Sequence, residues 1–350
     1  MKSLQLKANS IAVTGGAGFI GSHLVDKLVA LGKQVTVYDN FSAGSLNNLK
    51  VHLNNPKVSI IEGDVQDERA LKNAFEGTDY VFHLATHCVR RSLTEPQINH
   101  DVNATGTLKT LLASQAVGVK RFIYCSSSEV YGNGAVGKLD ECSPKVPTTI
   151  YGASKLAGEN YTLAFHQTYG FESMVVRPFN AYGPRSHLFG PYGEVVPRFA
   201  ILLRAGKAPV IFGDGKQTRD FTYVEDTAEG LISAASCDHL LGDSINLAKG
   251  TEVSVGELAE TIRSIVGSSL TPRYIDSRPG DIRTLGANTN KAAALNIKMP
   301  STELKVGILR YLQWLDSQNL DYTSMAVQIS DKNWLELDNG IVDIPSVKAA

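Results

Sequence analysis

Between residues 11 and about 178, short apolar segments alternate with segments that have the spacing of amphipathic helices. This alternation predicts a parallel β-sheet, because parallel strands are joined by helical crossovers that cover both faces of the sheet. The predicted strands cover residues 11–14, 35–39, 58–62, 80–84, 122–126 and 174–177. The predicted helices between them include residues 20–31, 68–75, 104–116 and 155–169.

Six such strands predict a doubly wound α/β sheet of the Rossmann type, in a first domain over residues 1–178. Proline and glycine are crowded between residues 178 and 197, which predicts a long shaped loop. A smaller C-terminal α/β lobe is predicted over residues 179–319, with strands at 210–212 and 244–247 and helices at 197–205, 226–236, 255–266 and 304–317. Residues 320–350 form an extension of unknown role, in which apolar segments 325–329 and 341–344 predict strand-turn-strand structure.

The charge balance excludes several classes of partner. The chain has 34 Lys and Arg against 35 Asp and Glu, so it lacks the basic surface that binds nucleic acids. No segment approaches the ~18 apolar residues of a membrane span and no signal-peptide block opens the chain, so we expect a cytoplasmic protein without a membrane partner. The four cysteines form no C-x-x-C pair and the histidines lack metal-ligand spacing, so no metal site is predicted.

Three glycines, Gly15, Gly18 and Gly21, follow the first predicted strand and open the first predicted helix. At this spacing one glycine permits the tight turn, one lets a pyrophosphate approach the backbone, and one lets helix and strand pack closely. The helix N-terminus then presents free N–H groups to the phosphates. An ordinary strand-to-helix turn is the alternative to a dinucleotide site.

Two carboxylates after the next strands indicate which dinucleotide binds. Asp39 ends the second predicted strand, 18 residues after Gly21, where it can accept hydrogen bonds from the adenine ribose and repel a 2′-phosphate. This favours NAD over NADP as the cofactor. Asp64 follows the third predicted strand, where it either contacts the adenine or caps the next helix.

A tyrosine and a lysine provide candidate acid/base chemistry. Tyr151 and Lys155 are four residues apart at the start of a predicted helix, so they share one face. Tyrosine is a poor base at its ordinary pKa of about 10, but an adjacent ammonium and a cationic nicotinamide stabilise the phenolate. The pair can then remove a hydroxyl proton near neutral pH. Serines 126–128 follow the fifth predicted strand at the ligand-binding edge, where a hydroxyl can relay this proton.

Together these motifs resemble the extended short-chain dehydrogenase/reductases of the nucleotide-sugar epimerase and dehydratase group, in the style of UDP-galactose 4-epimerase. The resemblance runs from about residue 10 to about residue 317 and includes H-L-A at 83–85 and N-x-x-G-T at 103–107. It implies that Ser127, Tyr151 and Lys155 are catalytic. The predicted NAD contacts are Gly15, Gly18, Phe19, Ile20, Gly21, Asp39, Asn40, Asp64, Val65, Leu84, Ala85, Asn103, Tyr151, Lys155 and Pro178.

The resemblance also implies a nucleoside-diphosphate sugar as substrate, with UDP as the preferred nucleotide. Asn180, in the R-x-F-N segment 177–180, is predicted to contact the sugar nucleotide, and Arg219 and Arg278 to bind the diphosphate with their guanidinium groups. Ion pairs with Asp220 or Asp281 are the alternative role of these two arginines. Ser128 and Arg185 are further predicted substrate contacts. Helices 104–116 and 155–169 resemble the seam of a homodimer.

The net reaction depends on Glu129. A 4-epimerase needs only Ser127, Tyr151 and Lys155, whereas a 4,6-dehydratase needs an added base and acid, for which Glu129 is the candidate. By resemblance, Glu129 favours a dehydratase or decarboxylase, whereas Ser127 is the epimerase-like residue and Ser128 stands where glucose-type dehydratases carry an Asp. We predict a 4-epimerase acting through a 4-keto sugar, with a 4,6-dehydratase as the alternative. A UDP-glucuronate decarboxylase, with its cation from Arg90, Arg91 or Arg185, and a non-catalytic NAD-binding regulator are weaker alternatives.

Overall fold

The computed structural model describes residues 6–132, 137–188, 194–277 and 282–329. Its strands are β1 (Ser10–Thr14), β2 (Gln34–Asp39), β3 (Val58–Glu62), β4 (Tyr80–His83), β5 (Arg121–Cys125), β6 (Glu172–Pro178), β7 (Ala181–Tyr182), β8 (Val210–Phe212), β9 (Thr218–Asp220), β10 (Thr222–Tyr223), β11 (Ser244–Leu247), β12 (Glu252–Ser254), β13 (Arg273–Ile275) and β14 (Thr284–Leu285).

Its helices are α1 (Phe19–Ala30), α2 (Glu68–Phe75), α3 (Pro96–His100), α4 (Gly106–Ala116), α5 (Ile150–Tyr169), α6 (Val195–Arg204), α7 (Val224–Ala235), α8 (Val255–Val266), α9 (Asn290–Ala294), α10 (Leu304–Ser317) and α11 (Tyr322–Gln328). Short 3₁₀ turns occupy Leu46–His52, Arg91–Leu93, Ser128–Val130 and Asp238–Leu240, and a π-turn occupies Asp101–Thr105. Among the helices of the described segments, none has the length and apolar character to cross a membrane.

Seven strands form the large sheet, in the order β3-β2-β1-β4-β5-β6-β11. Each neighbouring pair is parallel. This architecture confirms the predicted doubly wound α/β fold. The chain proceeds from β1 to β2 and β3 on one side and from β4 outward on the other, so the strand order reverses between β1 and β4. Ligands of such sheets bind at the carboxyl ends of the strands beside this switch point.

The seventh strand comes from the second half of the chain. The sequence predicted six strands for this sheet, and the structure adds β11, whose Ser244–Leu247 backbone pairs with Val175–Pro178 of β6. Helix α7, which precedes β11, packs against α1. The segment that follows residue 178 therefore returns to complete the large sheet, while the exact lobe boundaries stay a prediction.

Helices cover both faces of the large sheet, and the strand side chains alternate between two buried clusters. Ile11 and Val13 of β1 join the cluster that contains α1 and α7. Ala12 joins the cluster beneath α2, α4 and α5. In β5, Ile123 belongs to the first cluster and Phe122 to the second. Burial on both faces explains why these strands are nearly continuous apolar runs in the sequence.

A third cluster forms the core of the smaller lobe, between helices α6, α8, α10 and α11. Three small sheets surround it: β10 with β7, β12-β9-β14, and β13 with β8. Strand β7 follows directly after β6, so the smaller lobe begins beside the carboxyl edge of the large sheet.

The strand predicted at residues 325–329 is wrong, because residues 325–328 lie in helix α11. The Asp321 carboxylate accepts hydrogen bonds from the backbone N–H groups of Thr323 and Ser324 and caps this helix. Met325 and Ala326 are then buried in the core of the smaller lobe. The partner segment of that prediction, residues 341–344, lies outside the described residues.

Candidate active site

The loop between β1 and α1 contains the three predicted glycines. Gly15 has a φ of +67°, and a Cβ atom there would lie 2.7 Å from the backbone nitrogen of Ala85. At Gly21 a Cβ atom would lie 2.1 Å from the carbonyl oxygen of Gly15. Neither position accepts a side chain, so the first turn of α1 lies close to the ends of β1 and β4. Gly18 caps α1 without a side-chain hydrogen bond, which leaves the first N–H groups for a phosphate.

A buried histidine connects this loop to helix α4. The Nδ1 atom of His83 lies 2.7 Å from the Thr14 hydroxyl, and its Nε2 atom lies 3.0 Å from the Thr107 hydroxyl. The Thr107 hydroxyl donates to the carbonyl oxygen of Asn103, so it accepts the Nε2 proton and fixes the tautomer. Burial, aided by the Lys155 charge, lowers the pKa of His83 to about 3, so the ring is neutral.

Asp39 is placed to select the cofactor. It is 7% exposed, and its two oxygens each accept one backbone hydrogen bond of 2.9 Å, from Ala17 and from Phe41. Burial raises the pKa of this carboxyl, and the two N–H donors oppose the shift. Each oxygen keeps a lone pair for a ribose hydroxyl, whereas a 2′-phosphate would be repelled. A Cβ atom at Gly44 would lie 2.9 Å from the Asp39 Oδ2 atom, so this unpredicted glycine leaves room beside the carboxylate.

Asp64 does not cap helix α2. The cap is Asp67, whose carboxylate accepts the backbone N–H of Ala70 at 2.9 Å. Asp64 instead accepts hydrogen bonds of 2.8 Å from the Asn40 side chain and from the Gln66 backbone. The capping alternative is therefore excluded, and the adenine contact of Asp64 stays a prediction.

The side chain of Asn103 joins several chain segments through hydrogen bonds. It is fully buried in the π-turn before α4, and its side-chain oxygen accepts hydrogen bonds from the Thr86 hydroxyl and the His87 backbone. Its side-chain nitrogen donates to the His87 carbonyl, to Asn99 and to the Ser154 hydroxyl. Both ends of the amide are thus occupied by protein groups, which ties the segment after β4 to α5.

The serine and tyrosine of the predicted catalytic set meet at the start of α5. The Thr149 hydroxyl caps this helix by accepting the Gly152 N–H at 3.0 Å, and Tyr151 lies in the first turn. The Ser127 hydroxyl accepts the backbone N–H of Glu129 at 3.2 Å and lies near enough to Tyr151 to influence the pKa of its phenol. Burial raises the pKa of Tyr151 above its ordinary value, and Ser127 acts against that shift.

Gly152 permits this approach. A Cβ atom at Gly152 would lie 2.6 Å from the carbonyl oxygen of Glu129. The first turn of α5 can therefore touch the backbone of the Ser128–Val130 turn only because residue 152 has no side chain. Sequence reasoning did not single out this glycine, although it stands within the Y-x-x-x-K motif.

Lys155 is held on the same helix, one turn further on. It is 1% exposed, and its Nζ atom donates to the Cys125 carbonyl at 2.7 Å and lies 4.4 Å from the centre of the Tyr124 ring. Burial lowers the pKa of Lys155 to about 8, against the influence of Cys125 and Glu159. Below that pH the group is a cation with one fixed orientation.

Glu129 and Ser128 lie in the 3₁₀ turn that the first turn of α5 contacts. Glu129 is half-buried in the 3₁₀ turn, and its charge adds to burial in raising the pKa of Tyr151. Ser128 is 3% exposed. The roles of both residues in catalysis and substrate binding stay predictions.

The predicted substrate residues of the second half are more dispersed. Asn180 has a φ of +25° and a buried side-chain nitrogen without a hydrogen-bond partner. Arg219, on β9, donates to the Ile282 carbonyl at 2.7 Å. Arg185 forms a 2.8 Å ion pair with Asp26 of α1. Arg278 lies outside the described residues.

Asp220 has a role of its own beside Arg219. It is fully buried and accepts backbone hydrogen bonds from Lys249 at 3.0 Å and Gly250 at 2.9 Å. Burial raises its pKa to about 6 despite these donors. This carboxylate therefore anchors the turn at residues 249–250.

Comparison with known proteins decides the family. Residues 11–248 match the NAD dependent epimerase/dehydratase family. The chain belongs to this family. A putative UDP-glucose 4-epimerase of Methanocaldococcus jannaschii is 35% identical over 312 residues, which cover 88% of this chain and 99% of the relative. The solved structure of a UDP-N-acetylglucosamine 4-epimerase of Methanobrevibacter ruminantium, in complex with UDP-N-acetylmuramic acid, has a TM-score of 0.83 and 35% identity and covers 89% of this chain and 99% of that chain.

A UDP-glucuronic acid 4-epimerase of Bacillus cereus was solved with UDP-glucuronic acid and NAD. It is 29% identical, with a TM-score of 0.83, and covers 88% of this chain and 99% of its own. UDP-glucuronic acid decarboxylases and a dTDP-glucose 4,6-dehydratase with bound NAD also match. This member of the epimerase/dehydratase family is therefore an NAD-dependent enzyme.

The residues of the chain fit NAD. The glycines of the β1–α1 loop leave a cradle that a Cβ atom would fill, and Asp39 offers free lone pairs at the ribose position. The predicted NAD contacts lie along the carboxyl edge of the sheet. They lie in the turns after β1, β2, β3 and β4, in the first turn of α1, in the turn before α4, in the first two turns of α5, and at the ends of β2 and β6. Their individual contacts with the cofactor stay predictions.

Proposed function

We propose that the protein is an NAD-dependent 4-epimerase of a UDP-sugar. The observation that carries this proposal is helix α5, which holds Lys155 as a buried cation and places Tyr151 one turn earlier, near Ser127. Relatives named as 4-epimerases at 35% identity over most of both chains support it.

The three side chains divide the proton chemistry. The Tyr151 phenolate takes the proton of the sugar 4-hydroxyl, and the Lys155 ammonium, one turn along the same face, stabilises that phenolate. The Ser127 hydroxyl holds the substrate oxygen and passes the proton between it and Tyr151. Bound NAD supplies the acceptor for the hydride from carbon 4 and returns it. The 4-keto sugar rotates, receives the hydride on its other face, and regains its proton from Tyr151.

The substrate end of the site supports a nucleotide sugar. The Asn180 side chain offers a buried N–H donor with no acceptor among the described residues, which is costly unless a ligand accepts it. We assign this donor to the nucleotide sugar. We assign the half-buried guanidinium of Arg219 to the diphosphate, because one guanidinium can donate two hydrogen bonds to phosphate oxygens.

A 4,6-dehydratase is the second candidate, and Glu129 is the observation that favours it. Its carboxylate lies in the turn against the first turn of α5, where its charge raises the pKa of the Tyr151 phenol. A dehydratase would use Glu129 to remove the carbon 5 proton after oxidation at carbon 4. An epimerase requires no such base.

Incubation with a panel of nucleotide sugars separates these reactions. We expect UDP-glucose, UDP-N-acetylglucosamine or UDP-glucuronate to give a product of unchanged mass and new retention time. Loss of water would identify a dehydratase, and loss of carbon dioxide a decarboxylase. Tyr151→Phe should abolish turnover, whereas Tyr161→Phe, a half-buried control on the same helix, should retain it.

The variant Glu129→Gln distinguishes a 4-epimerase from a 4,6-dehydratase. As an epimerase, the protein should keep its kcat within about threefold of the unchanged enzyme, because no step needs the carboxylate. A fall of about 10²-fold or more, together with a dehydrated product, would favour the second candidate.

The assembly is proposed to be a homodimer. Helix α5 packs against α3 and α4, and this group of helices exposes apolar side chains to solvent. Leu112, Ile98 and Ile150 are 39%, 49% and 47% exposed. A second copy of the same surface would cover them. The cytoplasmic location stays a prediction.

A further inference from the structure

A buried ion pair lies directly behind the proposed catalytic residues and plays no part in the proton chemistry. The guanidinium of Arg177, on β6, donates from Nε and Nη2 to the two carboxylate oxygens of Glu159, at 2.7 Å each. Both residues are 1% exposed. The arrangement is bidentate, which fixes both the distance and the orientation of the two groups.

The pair reaches a third chain segment through a tyrosine. The Nη1 atom of Arg177 donates to the Tyr131 hydroxyl at 2.9 Å, and this hydroxyl donates to the Asn246 side chain at 2.7 Å. The guanidinium also lies 5.2 Å from the centre of the Tyr131 ring. Asn246 donates in turn to the Leu139 carbonyl at 3.0 Å. The polar groups named in this network are therefore all hydrogen-bonded.

The positions of these residues connect the network to the active site. Glu159 lies four residues after Lys155 and eight after Tyr151, so the three side chains follow one face of α5. Tyr131 directly follows the 3₁₀ turn that carries Glu129, and its backbone N–H donates to the Ser128 carbonyl. One ion pair therefore links the helix of the acid/base pair to the turn of the serine.

Stability alone does not explain the pair. Removing two charges from water is costly, and apolar residues of the same volume often stabilise a fold equally well or better. What a fully satisfied bidentate pair provides instead is a single geometry. Glu159 also bears on the chemistry, since its charge opposes the lowering of the Lys155 pKa that burial causes.

We propose that Glu159 and Arg177 are positioning residues, which hold the start of α5 and the Ser127–Tyr131 turn at the separation that the tyrosine and serine hydroxyls need. This inference rests on the proposed function, because it concerns the geometry of the same proton transfer. Near-attack geometry tolerates displacements of well under 1 Å, so a small change in separation lowers turnover strongly.

The test replaces the pair by apolar residues of similar size, Glu159→Leu with Arg177→Met. We expect the double variant to fold with an unchanged or higher Tm, to lose at least tenfold in kcat, and to keep its KM. The change of slope near pH 8 in its log kcat/KM profile should move to lower pH, because the carboxylate near Lys155 is gone. A kcat within twofold of the unchanged enzyme would overturn the proposal.

A control ion pair, less buried because the Glu172 side chain is 45% exposed, lies at the other end of the same strands. Arg121 and Glu172 are register partners of β5 and β6, joined by hydrogen bonds of 2.9 and 2.6 Å, at the edge away from the active site. Arg121→Met with Glu172→Leu should leave kcat unchanged. An equal loss of kcat in this control would show a general effect of ion-pair removal and overturn the proposal.

Two further measurements distinguish a failure of the positioning proposal from a loss of folding and from a failure of the proposed function. Tyr131→Phe removes only the hydroxyl arm and should lower kcat with little effect on Tm, whereas unchanged kcat would count against the network. Amide hydrogen exchange needs no substrate: exchange should rise in the first turn of α5 and in residues 127–131 of the double variant. Unchanged exchange there would overturn the positioning role, while absence of turnover in the unmodified enzyme would overturn only the proposed function.

Discussion

The environment of Lys155 determines the pH at which its ammonium loses its charge. Its ammonium is removed from water and has one carbonyl acceptor and one aromatic face as neighbours. A lysine on the surface would remain charged throughout the physiological range, whereas this one loses its charge near pH 8. The same burial that orients the cation therefore limits the pH range over which it can act.

The pH profile should show this limit. Burial lowers the pKa of Lys155 to about 8, so the cationic form predominates below that pH and disappears above it. The active form needs Tyr151 as the phenolate and Lys155 as the cation. We therefore expect the slope of log kcat/KM against pH to decrease by one unit near pH 8, where Lys155 loses its charge, since this ratio reports groups of the free enzyme. A slope that stays unchanged through pH 8 would contradict this assignment.

Lys155→Met provides the control for that profile. Turnover should fall by about 10²- to 10⁴-fold, the range typical of a lost acid/base contribution, and the change of slope near pH 8 should disappear from the residual activity. A change of slope that persists in the variant would belong to another group.

The sequence predicted the residues that act through their own chemistry. Gly15, Asp39, Tyr151 and Lys155 are recognisable because a motif of fixed spacing demands each of them. It could not predict that His83 joins Thr14 to Thr107, since those contacts depend on three segments that meet only in the folded chain.

At the scale of elements, the start of helix α5 positions the proposed acid/base pair. Thr149 caps it, and the next residues pass close to the turn that follows β5. The periodic pattern predicted a helix over residues 155–169 and the motif placed Tyr151 at a helix start, whereas the structure begins the helix at Ile150. Helix starts depend on caps and local contacts, which a periodic pattern does not reveal.

Gly152→Ala should separate the helix from the turn. The added methyl group would lie 2.6 Å from the Glu129 carbonyl oxygen, so the two backbones must move apart. We expect kcat to fall about 10- to 100-fold, because the separation between Tyr151 and Ser127 then increases. Steady-state kinetics alongside a thermal melt would measure both effects.

The exposed neighbour Ala153 provides a matched substitution in the same turn. Ala153→Gly should cost about 1 kcal/mol in stability through helix propensity and leave kcat unchanged. Equal losses of kcat in the two variants would show that helix stability, rather than its distance from Glu129, controls turnover.

At the scale of the whole molecule, the apolar surface on α3, α4 and α5 predicts the assembly. We expect sedimentation velocity at micromolar concentration to show a dimer. Leu112→Glu should shift it to monomer, because the charge would be buried in the interface. Leu309→Glu changes a leucine of similar exposure, 46%, on α10 and should leave the dimer intact. A monomeric unmodified protein would exclude the proposed assembly.

The sequence predicted the fold class and six of the seven large-sheet strands, because most of them are apolar runs buried on both faces, although the edge strand β3 is only half-buried. It placed β11 in the smaller lobe, since nothing local in Ser244–Leu247 tells which sheet the strand joins. Strand pairing across about 70 residues is decided by the packing of α7 on α1, which only the folded molecule shows.

The late arrival of β11 has a consequence for how the protein is made. Until residue 247 has left the ribosome, β6 is an unpaired edge whose central residues, Val175 and Val176, belong to the interior of the finished protein. Exposed apolar edges pair with other chains. The nascent chain must therefore keep its first half from associating with neighbours during the synthesis of about 70 residues. A fragment that stops at residue 178 would keep the outer edge of β6 unpaired permanently.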